Sequence, residues 1–215
     1  SFFGGGTDYP IWYREHGGAV LATTIDKYCH ISCRYLPPFF EHKSRIVYSK
    51  IENVKSNNEI EHQAVRGVLQ YMGMDCGVEI HHDGDLPART GLGSSSAFTV
   101  GLLNTIAALK GNTLTKMDLM KKAIQVEQEI LGEYVGSQDQ AMAAHGGFCR
   151  VDFSTNHDIQ INPIIMNRER LNEFQNHLLL FFTGFSRTAS EIAKEQIERT
   201  HERKSELKQM YQMVD

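Results

Sequence analysis

The stretch that most constrains this chain is Pro87-Ala88-Arg89-Thr90-Gly91-Leu92-Gly93-Ser94-Ser95-Ser96-Ala97, which runs straight into the apolar block Phe98 to Leu109 and stops at Lys110-Gly111. A helix apolar on nearly every face has to be buried. Ser94 or a neighbour suits its N-cap and Gly111 its C′ position. Its N-terminus therefore meets a glycine-serine loop inside the molecule. Unpaired N–H groups and the helix dipole make such an end attractive to an anion. Gly91 and Gly93 let the backbone approach a phosphate closely. Ser94, Ser95 and Ser96 add donors, one of which can ligate Mg²⁺, and Arg89 adds positive charge nearby. No Gly-Lys-Ser/Thr follows, so the loop is not a Walker A motif. A serine replaces the third glycine or alanine of the dinucleotide fingerprint. The plain alternative, a glycine turn with serine caps, leaves the wholly apolar helix and the preceding Pro-x-Arg without a purpose.

A second helix starts at Thr115, where Thr115-Lys116-Met117-Asp118 resembles a capping box, and runs to about Leu131 and Gly132. Met117, Met120, Ile124 and Leu131 form its apolar stripe, and the gap in that stripe falls on Glu127. A carboxylate facing a core costs several kcal/mol, roughly, unless a cation or donors compensate. A bound Mg²⁺ would do so, and so would a paired Arg or Lys. Gly136-Ser137-Gln138-Asp139-Gln140-Ala141 suggests a tight turn that delivers Asp139, although an Asp in a Gly-Ser turn is more often an N-cap or Asx turn. Gly4-Gly5-Gly6-Thr7-Asp8-Tyr9-Pro10 places Asp8 after a flexible backbone, either to hold vicinal hydroxyls or to cap a loop.

Elsewhere, Gly18 to Tyr35 and Ser44 to Ile51 read as strands, Asn53 to Glu61 as a loop, and His62 to Gly73 as an amphipathic helix. Val78 to His82, Phe148 to Phe153 and Ile159 to Ile165 read as strands. Leu178 to Thr183 reads as a short buried strand, and Thr188 to Met213 as one long charged helix. These elements predict an α+β chain with a first domain over 1–155. Residues 156–215 hold too little to enclose a core and read as the start of a second, truncated domain.

Lys plus Arg is 22 against 26 Asp plus Glu, and no basic run occurs, so a nucleic-acid partner is not suggested. Cys29, Cys33, Cys76 and Cys149 contain no Cys-x-x-Cys and predict free thiols in a reducing cytoplasm. No apolar run is long enough to cross a bilayer. The start, Ser1-Phe2-Phe3, lacks signal-peptide features, and the chain reads as part of a longer protein.

In this order the motifs resemble the GHMP kinases. Gly91-Leu92-Gly93-Ser94-Ser95-Ser96-Ala97 is similar to that family's ATP-phosphate motif. Phe2-Phe3-Gly4-Gly5-Gly6-Thr7-Asp8-Tyr9-Pro10 is similar to the first motif of its sugar-kinase branch, with the triple glycine and Tyr-Pro ending of D-glycero-D-manno-heptose 7-phosphate kinases. The resemblance implies a mixed N-terminal domain joined to a ferredoxin-like one, with the site between them. It implies ATP and Mg²⁺ as cofactors and transfer of the γ-phosphoryl group to a sugar hydroxyl, the anomeric one of a heptose 7-phosphate. Arg89 and Gly91 to Ser96 would hold the nucleotide. Ser95, or neighbouring Ser94 or Ser96, would ligate Mg²⁺ with Glu127. Asp139 would serve the acceptor hydroxyl as base or electrostatic partner. Gly6, Thr7 and Asp8 would bind the sugar, and Arg187, in Thr183-Gly184-Phe185-Ser186-Arg187, its phosphate. The implied partner is a small sugar phosphate, with a homodimer left open. Another sugar or small alcohol as acceptor, or a non-catalytic sensor of sugar and nucleotide, are the alternatives. The family's basic residue before the first motif and its third, glycine-rich motif are absent, so the chain as given is expected to be inactive alone.

Overall fold

The computed structural model describes residues 1–87, 91–181 and 189–215, with side chains from residue 193 onward in the last stretch. Pro10 at the first position starts α1 (Pro10–His16), whose fixed φ suits a helix start. Strands β1 (Gly18–Thr23), β2 (Cys29–Tyr35), β3 (Ser44–Val47) and β4 (Ile51–Val54) follow, then a 3₁₀ turn at Asn57–Glu59 and α2 (Gln63–Tyr71). After β5 (Val78–Gly84) come α3 (Ser94–Leu109), α4 (Lys116–Gln125), a π-helical turn at Val126–Ile130, and α5 (Gln138–His145). The chain continues through β6 (Phe148–Phe153), β7 (Ile159–Pro163), α6 (Arg168–Asn176), α7 (Ala189–Glu198) and α8 (Lys204–Gln212). The mixed α+β composition is as the sequence implies.

Two sheets result. One has the order β2-β5-β3-β4, with β3 parallel to β5, and the other is the antiparallel β1-β6-β7. Helix α3 lies between the first sheet and the other helices, packing on β2, α2, α4 and α5. Gly101 allows the close approach to β2, since a Cβ there would stand 3.1 Å from Ile31 Cδ1. Leu102, Leu103 and Ile106 are fully buried, each stabilising by about 1.5–3 kcal/mol relative to exposure. Helix α4 serves two cores. Leu119 and Ala123 join the cluster around α3 and the first sheet, whereas Met120 joins Val20, Val151 and Phe153 of the second. Residues at the end of α4 therefore lie where the two cores meet.

Several expectations need correcting. The Gly18–Tyr35 run is two strands in different sheets, and Ser44–Ile51 is a hairpin closed by Tyr48 N–H to Lys50 O at 2.8 Å. Strand β7 pairs with β6 from Phe153↔Ile159 to Cys149↔Pro163, so residue 155 lies in the turn of a hairpin. Leu178 to Phe181 form no strand. Leu179, Leu180 and Phe181 are 81%, 77% and 77% exposed, because no described neighbour covers or pairs with them; Phe182 and Thr183 lie outside the described residues. The long C-terminal helix is broken at Arg199–Arg203. That turn brings α8 back over the opening glycines, where a Cβ on Gly4 would meet Val214 Cγ2 at 2.7 Å. Helix α6, capped by Asn167 accepting from the Arg170 N–H, buries no residue and so left no periodic apolar signal.

Candidate active site

The cap of α3 differs from expectation in a useful way. Gly93, not a serine, is the N-cap, in the left-handed region at φ 73°, and no side chain caps this end. Gly91 shares that conformation at φ 73°. The three serines thus keep their hydroxyls for other partners. Ser95 is exposed and Ser94 half-buried, while Ser96 is buried and donates to Glu127 Oε2 at 2.8 Å. The structure therefore sets Ser96, rather than Ser95, against the carboxylate. Arg89 lies outside the described residues.

Glu127 sits in the π-helical turn, a distortion that is frequent at functional sites. It is 0% exposed. Oε2 also accepts from Gln140 Nε2, whereas Oε1 is buried without a partner. Burial is the main reason its pKa is raised, and it outweighs the opposing influence of the nearby Thr99 hydroxyl, the Gln140 amide and the Ser96 hydroxyl, while the Asp139 charge adds to the rise. An orphaned buried carboxylate oxygen typically costs about 1–3 kcal/mol or more, and it is the feature a cation would relieve. Among the described residues, no group of three or more His, Cys, Asp or Glu side chains is placed to hold a metal. Glu127 and Ser96 do offer oxygen donors of the kind a hard divalent cation takes.

A pair of carboxylates, Asp8 and Asp139, lies close enough to Glu127 for the Asp139 charge to act on it. Gln128 Nε2 donates to Val135 O, Gly136 O and Ser137 Oγ, and so holds the turn before α5. At Gly136 a Cβ would stand 1.8 Å from Asp8 Oδ2, so only glycine fits. Asp8 accepts from the Gly6 N–H at 3.1 Å and the Gln138 N–H at 3.3 Å, and its carbonyl from the Ser137 N–H at 3.0 Å. Asp139 follows in the first turn of α5. A Cβ on Gly93 would be 3.2 Å from Asp139 Cγ, so the turn delivers this carboxylate directly against the start of α3. Asp8 is 2% exposed, and burial together with the Asp139 charge pushes its pKa up to about 6. Asp139 reaches solvent, yet the protein crowded around it still raises its pKa.

Not every expected site residue takes its place here. Thr7 is fully buried and its hydroxyl is occupied by backbone, lying 2.7 Å from Gly4 O and 2.9 Å from Ala19 O and accepting from the Ala19 N–H. It ties the glycine loop to β1 and has nothing left for a sugar. Gly6 contributes its N–H to Asp8. Leu92 is 46% exposed at the loop tip. Arg187 lies outside the described residues. The sequence reading missed Gln128 and Gln140, whose roles depend on long-range contacts that no spacing rule announces.

Residues 58–147, which span the loop, Glu127 and Asp139, match the family described as GHMP kinases N terminal domain. The chain is 27% identical over 198 residues to the D-glycero-alpha-D-manno-heptose 7-phosphate kinase of Campylobacter jejuni, covering 88% of this chain and 58% of that protein. It is 27% identical over 131 residues to the shikimate kinase of Archaeoglobus fulgidus, covering 60% of this chain and 43% of that one. The chain spans only about half the length of these curated relatives. Among solved structures, a D-glycero-D-manno-heptose 1-phosphate kinase from Bacteriodes thetaiotaomicron superposes with a TM-score of 0.77 at 25% identity, covering 97% of this chain and 70% of that one. No helix among the described residues is long and apolar enough to cross a membrane.

Proposed function

We propose that the intact protein is an ATP-dependent sugar kinase that transfers the γ-phosphoryl group to a hydroxyl of a heptose 7-phosphate, at the anomeric position. The observation that carries this reading is Glu127, sunk in the core with one oxygen bound to Ser96 and the other unpartnered, at the glycine-serine end of a buried helix. Two of the named relatives are called heptose phosphate kinases, which supports the acceptor class.

Phosphoryl transfer requires alignment and charge neutralisation more than covalent help from the protein. The N–H groups of Gly93 to Ser96 and the serine hydroxyls would hold the β- and γ-phosphates. Ser96 and Glu127 would hold Mg²⁺, which when bound supplies charge neutralisation at the phosphates. Asp8 would orient the acceptor hydroxyls. Asp139, set against Gly93, would polarise the attacking hydroxyl and accept its proton. The two carboxylates repel one another, and their raised pKa values bring both closer to the pH at which a base is most useful. The reading places the nucleotide and sugar machinery in an N-terminal domain over 1–155 and the start of a second, ferredoxin-like domain after it. Four free cysteines suit a reducing compartment, and the cytoplasm is part of the proposal.

The test is ADP release by the full-length protein with ATP, Mg²⁺ and a heptose 7-phosphate, with the product position read by phosphorus NMR. Asp139→Asn should remove most turnover, by about two to three orders of magnitude, and leave ATP binding near normal. Unchanged turnover removes Asp139 from the mechanism.

A further inference from the structure

The described residues enclose a cavity of about 210 Å³ that none of the roles above uses. Gly5, Gly6 and Tyr9 form one side, and Gln196, Arg203, Leu207 and Met210, from α7 and α8 and the turn between them, form the other. We propose that this cavity receives the phosphate-bearing end of the acceptor, with Arg203 as its anion contact. The inference rests on the kinase reading above and adds the part of the substrate that lies away from the reacting hydroxyl.

Position is the first argument. Tyr9 follows Asp8 in the chain, lines the cavity, and donates from its hydroxyl to Gln196 Oε1 at 3.2 Å. Its phenol also feels the charges of Asp8 and Asp139, after burial itself, and all three raise its pKa. The cavity is therefore lined by the residues on either side of Asp8 in the chain, Gly6 two before it and Tyr9 next after it. Gly6 keeps it open. Its φ of 91° disfavours any other residue, and a Cβ there would stand 3.1 Å from Leu207 Cδ2.

Chemistry is the second argument. Leu207 and Met210 give an apolar wall for C–H groups, while Gln196, Tyr9 and Arg203 give hydrogen-bonding groups, as suits a polyhydroxylated carbon chain. Arg203 takes part in no ion pair among the described residues. Glu206, the carboxylate in the same lining, accepts from Ser205 Oγ at 2.7 Å. A guanidinium matches a phosphate by parallel hydrogen bonds, which a neutral side chain cannot supply. The volume is below the roughly 300–1,000 Å³ of sites that enclose a whole drug-sized ligand, so it suits one end of a sugar phosphate.

The test compares binding of heptose 7-phosphate and of the same heptose without phosphate, by calorimetry on the full-length protein, for the wild type, Arg203→Gln and Arg203→Lys. The expected result is a preference of the wild type for the phosphorylated sugar. Arg203→Gln should weaken that sugar by roughly 10- to 100-fold with little effect on the unphosphorylated one, and Arg203→Lys should fall between. ATP binding, followed in parallel, should not change. A wild type without preference, or equal changes on both sugars in Arg203→Gln, overturns the inference. The kinase reading is judged separately, by whether the wild type releases ADP with either sugar.

Discussion

Ser96 Oγ stands 2.8 Å from Glu127 Oε2, joining the first turn of α3 to the π-helical turn after α4, 31 residues later in the chain. The contact couples the loop to the only side chain on the second helix that breaks its apolar stripe. It leaves Oε1 free in a place where water does not reach. Left unpartnered, that oxygen destabilises the fold, and on the proposed reading a cation would relieve it.

Glu127→Gln should therefore separate stability from activity. The neutral amide avoids the burial cost that raises the Glu127 pKa, so the variant without nucleotide should melt at or above the wild-type temperature at pH 8. Turnover should fall by about two to three orders of magnitude. Melting with ATP, with and without Mg²⁺, checks the cause. Mg²⁺ should add stabilisation to the wild type and little to the variant, and chelation by EDTA should remove that added stabilisation.

The serines should differ. Ser96→Ala removes the donor to Glu127 and should lower turnover by at least tenfold with a raised requirement for Mg²⁺. Ser95→Ala touches an exposed hydroxyl and should have the smaller effect on Mg²⁺ dependence. A Mg²⁺ titration of ADP release for both variants decides between them.

Asp8 gives a pH dependence with a defined sign. Its pKa rises from the ordinary 3.8 to about 6, so the folded state binds this proton more tightly than the unfolded chain. Ionised Asp8 thus costs stability above pH 6, by about 3 kcal/mol at most, and the cost vanishes as the pH falls through 6 towards 3.8. Asp8→Asn should be more stable than the wild type at pH 8, with the gap closing near pH 4, while sugar binding is lost. Denaturant unfolding across that range is the measurement.

Two glycine substitutions should behave differently although both disturb the backbone. Gly136→Ala drives a Cβ into Asp8 Oδ2 and should abolish sugar-dependent ADP release. Gly73→Ala meets open space at φ 58° and should cost about 1–2 kcal/mol of stability without changing kcat. Thermal melts paired with turnover assays separate the two.

Local signals in the sequence carried most of the N-terminal half. The apolar block after Ala97 could only be a buried helix, and the Thr115 and Asp118 side chains do form a capping box. The acid at 127 stood out because its stripe had no other gap. What stayed hidden depends on partners distant in sequence. Nothing near Ser96 distinguishes it from Ser95 until α4 is laid beside α3. Thr7 looked available for a ligand because its backbone partner, Ala19, belongs to β1. Leu178 to Phe181 have the composition of a buried strand, but burial requires a neighbour, and the described residues supply none. The turn between α7 and α8 contains neither Gly nor Pro, so its helical periodicity reads as unbroken.

The most direct test is a crystal structure of the full-length protein with a non-hydrolysable ATP analogue and Mn²⁺ in place of Mg²⁺. The account predicts phosphates against residues 91–96 and an anomalous peak touching Glu127 Oε1. Phosphates bound elsewhere, or a metal that leaves Glu127 untouched, would contradict it.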